Sequence, residues 1–361
     1  METKIRIRKK IVRIVLTLTA ILLLKGIFAW SNHFSDFYFH RWYKWSSLAF
    51  RQVTGIVPFS IGDVIYTAWV IGGIVFLLKL CYKLIKLAWE DIGWQLLRGV
   101  HFLLKAYLAF LVLWGMNYER DSLPRDTGLV TGPYDTRQLY QLSDTLLQLV
   151  NREKANTGDT INALAPGGDS RLLFDGAISA YANAARTWPA LKYRGSSVKP
   201  SLFGKWLNYM GTTGYLNPFT NEAQVNITVP AVLQPFIVCH EIGHQLGYAP
   251  EEEANFVGYL AAISSMDSRF RYAANFDMFQ YSVRQLARRD TVLAHEIWNR
   301  AVPGVRADYK AIIDFYIPYT GKIDDYFTML YDHYLKANNQ EKGIRSYSEV
   351  VTWMISYFRI R

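Results

Sequence analysis

Residues 240–255 read His-Glu-Ile-Gly-His-Gln-Leu-Gly-Tyr-Ala-Pro-Glu-Glu-Glu-Ala-Asn. The first five letters form the pattern H-E-x-x-H. On a helix, positions i and i+4 share a face, so His240 and His244 can grip one metal ion together. Glu241 then stands one residue along, within reach of a water bound to that metal. Gly247 is suited to end the helix, because it tolerates the left-handed conformation needed there. Pro250 suits the first position of a second helix, where its missing N–H does no harm. The chain is therefore expected to turn at 247–250 and send a second helix back past the histidines. Glu251, Glu252 and Glu253 open that helix, and Glu251 is the favoured third ligand. Asn255 lies one turn later on the same face, where it can help orient the ligands. Two imidazoles and a carboxylate suit zinc among divalent ions and leave a fourth position open for water.

H-E-x-x-H followed by Glu251-x-x-x-Asn255 resembles the gluzincin metallopeptidases, whose pattern is H-E-x-x-H followed by E-x-x-x-D. It looks most like those members that carry E-x-x-A-D or E-x-E-A-N. The resemblance implies a zincin-like domain in which His240, His244 and Glu251 bind zinc, Glu241 is the general base and Asn255 supports the ligands from behind. Asn255 departs from the family's usual Asp, and Glu251 follows His244 at seven positions, closer than in most gluzincins. Gly247 resembles the metzincin pattern, but Pro250 stands where those proteins carry their third ligand. The whole chain also resembles a bacterial membrane-protein family of unknown function, which supplies architecture but no substrate.

A bland reading competes with the metal site. H-E-x-x-H occurs on ordinary helices, and an amphipathic helix with two buried histidines explains Val238, Ile242 and Leu246. It leaves the acidic cluster at 251–253 as coincidence. Elsewhere His295-Glu296 is followed by Asn299, not by a second histidine.

Composition points to a membrane. Hydrophobic residues make up 51% and aromatics 15% of the 361 residues, high for a soluble protein, and the excess sits in the first third. The net charge of +10 does not indicate nucleic acid, because Lys4, Arg6, Arg8, Lys9, Lys10 and Arg13 crowd directly before an apolar run. That is the pattern of a cytoplasmic membrane flank. No Gly-rich phosphate loop and no basic stripe interleaved with aromatics is present. Cys81 and Cys239 cannot form a disulfide framework, and Cys239 reads as a small core residue.

Three runs are expected to span a bilayer: 11–30, 63–83 and 100–117. A cleaved signal peptide is the competing reading of the first, but the run is too long and no small-x-small site follows Trp30. The aromatic-rich stretch 31–62 is expected to be a loop at the membrane surface, and 84–99 a short cytoplasmic link or an interfacial helix. Counting only two spans would place the histidines inside. Three spans with positive charge at the N-terminus and at 79–105 place everything after residue 118 outside.

Pro124, Gly128, Gly132 and Pro133 give 118–134 the composition of a linker. Asp135 with Gln138 reads as a capping box ahead of Leu139, Leu142, Leu146 and Leu149. Residues 154–169 read as a polar loop and 171–187 as a helix. Residues 223–229 alternate as a half-buried strand does. That strand either offers a free edge to an extended peptide or only closes the sheet. Pro235 is expected to open the histidine helix. Asp290 reads as a cap, and Pro303, Pro318 and Gly343 as breaks.

The expected architecture is therefore mainly α. Residues 1–117 form a membrane domain with three transmembrane helices, 118–134 a linker, and 135–361 a zincin-like α+β domain with a small sheet and a helical C-terminal part. The expected function is that of a membrane-anchored zinc peptidase in the bacterial cytoplasmic (inner) membrane, multi-pass, with its N-terminus cytoplasmic and its catalytic domain on the periplasmic side. Its partners would be the lipid bilayer and a peptide or protein substrate, with no nucleic acid. Tyr248, Arg271 and Tyr272 are candidates to stabilise a developing oxyanion. The alternative is a catalytically silent zincin-fold scaffold or receptor-like protein, and the intact Glu241 favours the enzyme. Proteolysis within the bilayer is disfavoured, since the histidines lie over a hundred residues past the last span.

Overall fold

Apolar residues on every face of a long helix have to be covered by protein or by lipid. The computed structural model, which describes residues 2–120, 123–157, 170–337 and 349–360, leaves three such helices largely uncovered. The first belongs to α1 (Glu2–Trp30). Two short helices follow, α2 (Asn32–Phe37) and α3 (Tyr43–Thr54), joined by a π-helical turn at Tyr38–Trp42. The second and third apolar helices are α4 (Ile61–Ile85) and α5 (Trp89–Leu113). Their mean hydropathies are 2.2, 2.1 and 1.7, and at most 11% of each apolar window is buried, so all three are long and apolar enough to cross a membrane.

Two expectations change here. The stretch 31–62 is mostly helical, because its aromatic residues find partners within the protein. Phe28, Phe34, Tyr38 and Phe39 pack edge to face with ring centroids 5.1–5.8 Å apart. Tyr43 and Trp114 complete that cluster. The link 84–99 shrinks to a turn at 86–88, with Leu87 in the left-handed region at φ 52°. Glu90 and Asp91, polar enough to read as a link, instead occupy the first turn of α5, where the helix dipole favours negative charge.

α1 and α5 run parallel. Lys10 Nζ meets His101 Nδ1 at 2.8 Å towards one end, and the Tyr38 hydroxyl, just past α1, donates to the Leu111 carbonyl towards the other. α4 therefore begins, and α1 and α5 end, on the same side as the rest of the protein.

The remaining helices are α6 (Leu123–Thr127), α7 (Thr136–Thr157), α8 (Ser170–Ala184), α9 (Gly204–Tyr209), α10 (Gln234–Gln245), α11 (Glu251–Ile263), α12 (Ser268–Arg289), α13 (Thr291–Asn299), α14 (Pro303–Tyr316), α15 (Lys322–Ala337) and α16 (Val350–Tyr357). The capping box that starts α7 is present. Gln138 N donates to Asp135 Oδ1 at 2.8 Å, and Asp135 N donates to Gln138 Oε1 at 3.0 Å. Leu139, Leu142, Leu146 and Val150 are then fully buried in the main core, which they share with Phe270, Phe276 and Phe279 of α12. Asp290 caps α13 through Val292 N and Leu293 N. Of the expected loop 154–169, residues 154–157 are the last turn of α7. The rest, like the break at Gly343, lies outside the described residues.

The sheet holds β1 (Val198–Pro200), β2 (Gly214–Asn217) and β3 (Glu222–Val225) in the order β1-β3-β2. β3 runs parallel to β1 and antiparallel to β2. The strand expected at 223–229 stops at Val225, because Asn226 Oδ1 accepts from Thr228 N and Oγ1 and turns the chain. β3 is also the central strand, so it has no free edge. Among the described strands, β2 carries the edge nearest the histidine helix.

The start of α4 is built into this sheet. Ile61 N and Gly62 N donate to the Glu222 carboxylate at 3.1 and 2.6 Å, and Ser60 Oγ caps Asp63 N. Asp63 in turn accepts from Leu202 N and from the Tyr215 hydroxyl. A carboxylate on the unpaired amides of a helix start is favourable twice, by hydrogen bond and by dipole. Glu222→Ala should cost about 2 kcal/mol by leaving buried amides unsatisfied. The expected reading is a lower melting temperature of the full chain in detergent.

Candidate metal centre

α10 carries both histidines, and its C-terminal end is held by side chains far away in sequence. At the start, Gln234 Nε2 donates to the Ile227 and Val229 carbonyls at 3.1 and 2.8 Å, and Pro235 occupies the first turn. At the end, the last carbonyls accept from three residues that lie before residue 121. The Tyr43 hydroxyl and Arg51 Nη1 donate to the Gln245 carbonyl at 3.1 and 2.9 Å, and Arg120 Nη1 donates to that of Leu246 at 3.1 Å. Cations at a helix C-terminus are favoured by the dipole. Within the 118–134 stretch, Arg120 also pairs with Asp126 at 3.1 Å.

Gly247 then turns the chain at φ +94°, where a side chain would be strained. Pro250 is extended and α11 begins at Glu251. α11 crosses close over α10. At Gly258 an added Cβ would sit 2.9 Å from His240 N, so only glycine admits this approach. The crossing brings Glu251 Oε2 to 3.2 Å from His240 Nε2 and 3.6 Å from His244 Nε2. One ligand atom from each of the three residues lies within 4.8 Å of the others. The two imidazoles stand edge to face, ring centroids 4.7 Å apart.

The surroundings orient these groups. His244 Nδ1 lies 2.8 Å from the Tyr248 carbonyl, which assigns the proton to Nδ1 and leaves Nε2 free to ligate. The Trp114 ring stands edge to face on His244 at 6.0 Å. The Tyr331 hydroxyl of α15 donates to Glu251 Oε1 at 2.6 Å. Asn255 is buried one turn after Glu251 and lines the same cavity. Glu253 is buried and Glu252 half-buried, and neither joins the His/His/Glu group.

Glu241 is buried beside this group. The backbone of β2 passes directly against it: an added Cβ at Gly214 would sit 2.6 Å from Glu241 Oε1. Burial pushes the Glu241 carboxyl up to about 7, against the pull of both histidines. For His244, burial opposes protonation, but the Glu251 charge outweighs it and raises the imidazole to about 9. Burial likewise works against the Glu251 carboxylate, and the two imidazoles outweigh it, holding Glu251 well below the usual carboxylate range.

The residues fit a divalent ion. Two buried polar atoms at the site, His240 Nδ1 and Glu241 Oε2, lack a hydrogen-bond partner, and Glu251 Oε2 has only the two imidazole nitrogens beside it. Such atoms are costly unless a water or ion satisfies them. Two neutral imidazoles and a carboxylate are a donor set suited to zinc.

The group opens into a cavity of about 1170 Å³. Its walls come from β2, α10, α11, α12 and α15, and from α4 and α5 on the membrane side. Asp277, Tyr281 and Arg284 of α12 line it too, with burial lifting the Asp277 carboxyl to about 6. The candidates Tyr248, Arg271 and Tyr272 do not line it. Tyr248 donates to Asp126, Arg271 pairs with Glu153 and Tyr272 donates to Asp308, so each is engaged elsewhere. Tyr331 is the hydroxyl that reaches the group. It lies eighty residues past Glu251, in a helix that carries no motif.

Fold and site define a mainly α-helical protein with three apolar helices and a His/His/Glu group able to hold a metal ion. Residues 38–355 match the family described as "Protein of unknown function (DUF3810)", and the chain belongs to that family. The match includes the whole His/His/Glu group and two of the three apolar helices. No curated protein and no solved structure matches the chain.

Metal analysis of the purified full chain should find about one divalent ion per chain, lost in His240→Ala, His244→Ala and Glu251→Ala. An ion must displace the proton that His244 holds below about pH 9. Zinc affinity by calorimetry should therefore rise with pH up to about 9 and then level.

Proposed function

We propose that the protein is a membrane-anchored zinc peptidase, with His240, His244 and Glu251 as ligands and Glu241 as general base. The observation that carries this reading is the convergence of three ligand atoms beside a buried, separately placed carboxylate, on one large cavity. A purely structural ion has no use for a further buried carboxylate with an unpartnered oxygen on the same cavity. Zinc bound there would supply a Lewis acid and lower the pKa of a water it holds.

The chain's own residues do the rest. Glu241 Oε2 is free to accept a proton, and burial favours the protonated form of the carboxyl. It would pass the proton to the leaving nitrogen of the cleaved amide. Tyr331 and Asn255 would hold Glu251 and the cavity wall in place. An extended peptide would lie along β2, whose outer edge is unpaired among the described strands and whose backbone touches Glu241. The cavity exceeds the usual range for small-ligand pockets, which suits a polymer better than a metabolite.

For sidedness, we propose a cytoplasmic N-terminus and a metal centre on the outer face of a bacterial inner membrane. Arg6, Arg8, Lys9, Lys10 and Arg13 in the first half of α1, and Lys79, Lys83 and Lys86 at the end of α4, lie at the ends of the helices remote from the centre, as the positive-inside rule requires.

Glu241→Gln should retain zinc and lose roughly 10²–10⁴-fold in the rate of peptide cleavage by the full chain in detergent. Cleavage at the native rate in that variant would exclude Glu241 as the base. Zinc bound without turnover of any peptide in the unaltered protein would favour a silent scaffold.

A further inference from the structure

We infer that the substrate is a membrane-anchored polypeptide, reached laterally between α4 and α5, and cut in the few residues that adjoin its span. This rests on the peptidase reading above. The motivating geometry is the wall of the cavity. Tyr66 and Trp69 of α4, and Ala106, Tyr107 and Phe110 of α5, line the same space as His240, Glu241 and Glu251. All five lie inside the apolar helices Ile61–Ile85 and Trp89–Leu113. A site meant only for soluble peptides has no reason to be walled by membrane helices.

The two helices touch at one end and part at the other. Near their connecting turn, Gln95 Nε2 donates to the Phe76 carbonyl at 2.6 Å, and Lys83 Nζ donates to that of Asp91 at 3.3 Å. Trp69 and Phe102 still meet edge to face at 5.6 Å. Beyond that pair each helix turns to a different neighbour. Trp69 and Tyr66 lean on Phe219 and Tyr215 of the sheet region, with ring centroids at 4.9 and 6.2 Å. α5 packs through Leu111 against Tyr38 and through Val112 against Trp42. The hydrogen bonds of Glu222 and Asp63 hold α4 on the sheet, and so hold the gap open.

A span of about 20 residues counted back from Lys86 ends near Tyr66, so Tyr66 and Trp69 stand where α4 leaves the bilayer for the sheet. The gap is lined by tyrosine, tryptophan and phenylalanine, residues that favour the membrane interface. A polypeptide leaving the bilayer at this level would pass from the gap to β2 and the metal group without crossing open water. Cleavage adds one water across the amide. Its hydroxyl goes to the carbonyl carbon, the C–N bond breaks, and its proton goes to the nitrogen.

The test uses the full chain with zinc, reconstituted in vesicles of phosphatidylcholine and phosphatidylglycerol. Two probes carry the same mixture of peptide sequences on one apolar span. In the first the mixture adjoins the span, and in the second a flexible Gly/Ser spacer of about 30 residues separates them. Both are equally concentrated at the membrane, so co-localisation alone cannot separate them. The adjoining probe should be cut at least roughly tenfold faster, with cuts clustered beside the span. Ala106→Trp, which fills the gap, should slow its cleavage by a similar factor with zinc content unchanged. Should that variant misfold, a photo-reactive residue at Tyr107 must cross-link the adjoining probe, and one at Leu18 on the exposed face of α1 must not. Equal or faster cleavage of the spaced probe overturns the inference and leaves the peptidase intact. Release of fatty acid from the vesicles, with neither peptide cut, overturns it in favour of a lipid substrate. Zinc bound with no cleavage of either probe or of the lipid removes the peptidase reading, and this inference with it.

Discussion

Glu251 Oε2 stands between two imidazole nitrogens, and the arrangement of the surrounding helices follows from keeping it there. Two histidines on one helix face need nothing but the helix. A third group from another helix needs that helix to come within a side chain's reach. Gly258 allows α11 to lie against the backbone of α10 at His240, and Gly247 turns the chain tightly enough to start α11 only a few residues after α10 ends. With those two positions filled by larger residues the carboxylate would move away by the width of the added atoms. Three polar groups would then be buried without one another, a costly state in a low-dielectric interior.

The helix that carries the histidines is held from the membrane side. Tyr43, Arg51 and Arg120 reach its last carbonyls, and Trp114 packs on His244. Arg51 is buried and satisfied by carbonyls at Gly195 and Gln245 and by Asn221 Oδ1, so it acts as a fork tying three segments together. At the other corner Glu222 and Asp63 seat α4 on the sheet. The apolar helices and the His/His/Glu group are thus one mechanical unit. A change of tilt in α4 or α5 would be felt at His244 through a few rigid contacts. This joining is the physical basis for a cavity that has the His/His/Glu group on one wall and apolar helices on another.

Charge at the site is balanced in a way that favours binding an ion. Without one, the proton on His244 and the charge on Glu251 stabilise each other, and Glu241 is pushed toward neutrality by burial. A divalent cation held by His240, His244 and Glu251 would replace that proton and give the unpartnered Glu241 Oε2 a positive neighbour. Tyr331 completes the arrangement from α15. Its hydroxyl fills the Glu251 oxygen that faces away from the histidines, which directs the other oxygen toward them.

Much of this was legible in the amino-acid order. The i, i+4 histidines, the glycine turn and the proline start follow from helix geometry. The preference for Glu251 over its two neighbours leans on Asn255 one turn later and on the gluzincin pattern, and the structure brings Glu251 to both histidines. The three apolar helices, the Asp135/Gln138 capping box and the Asp290 cap are legible too, because each depends on residues within one or two turns. What could not be read was set by partners distant in sequence. The aromatic stretch after α1 became helical because Phe28, Tyr38 and Tyr43 pack on one another and on Trp114. Of the two readings open for the strand, now Glu222–Val225, the sheet-closing one holds because β1 and β2 both pair with it. Tyr331, Arg51 and the α4 and α5 walls reach the site across eighty to two hundred residues, with no local periodicity to announce them. Local geometry is written in neighbouring residues, whereas a wall of a cavity is decided only when separate elements compete to cover the same apolar surface.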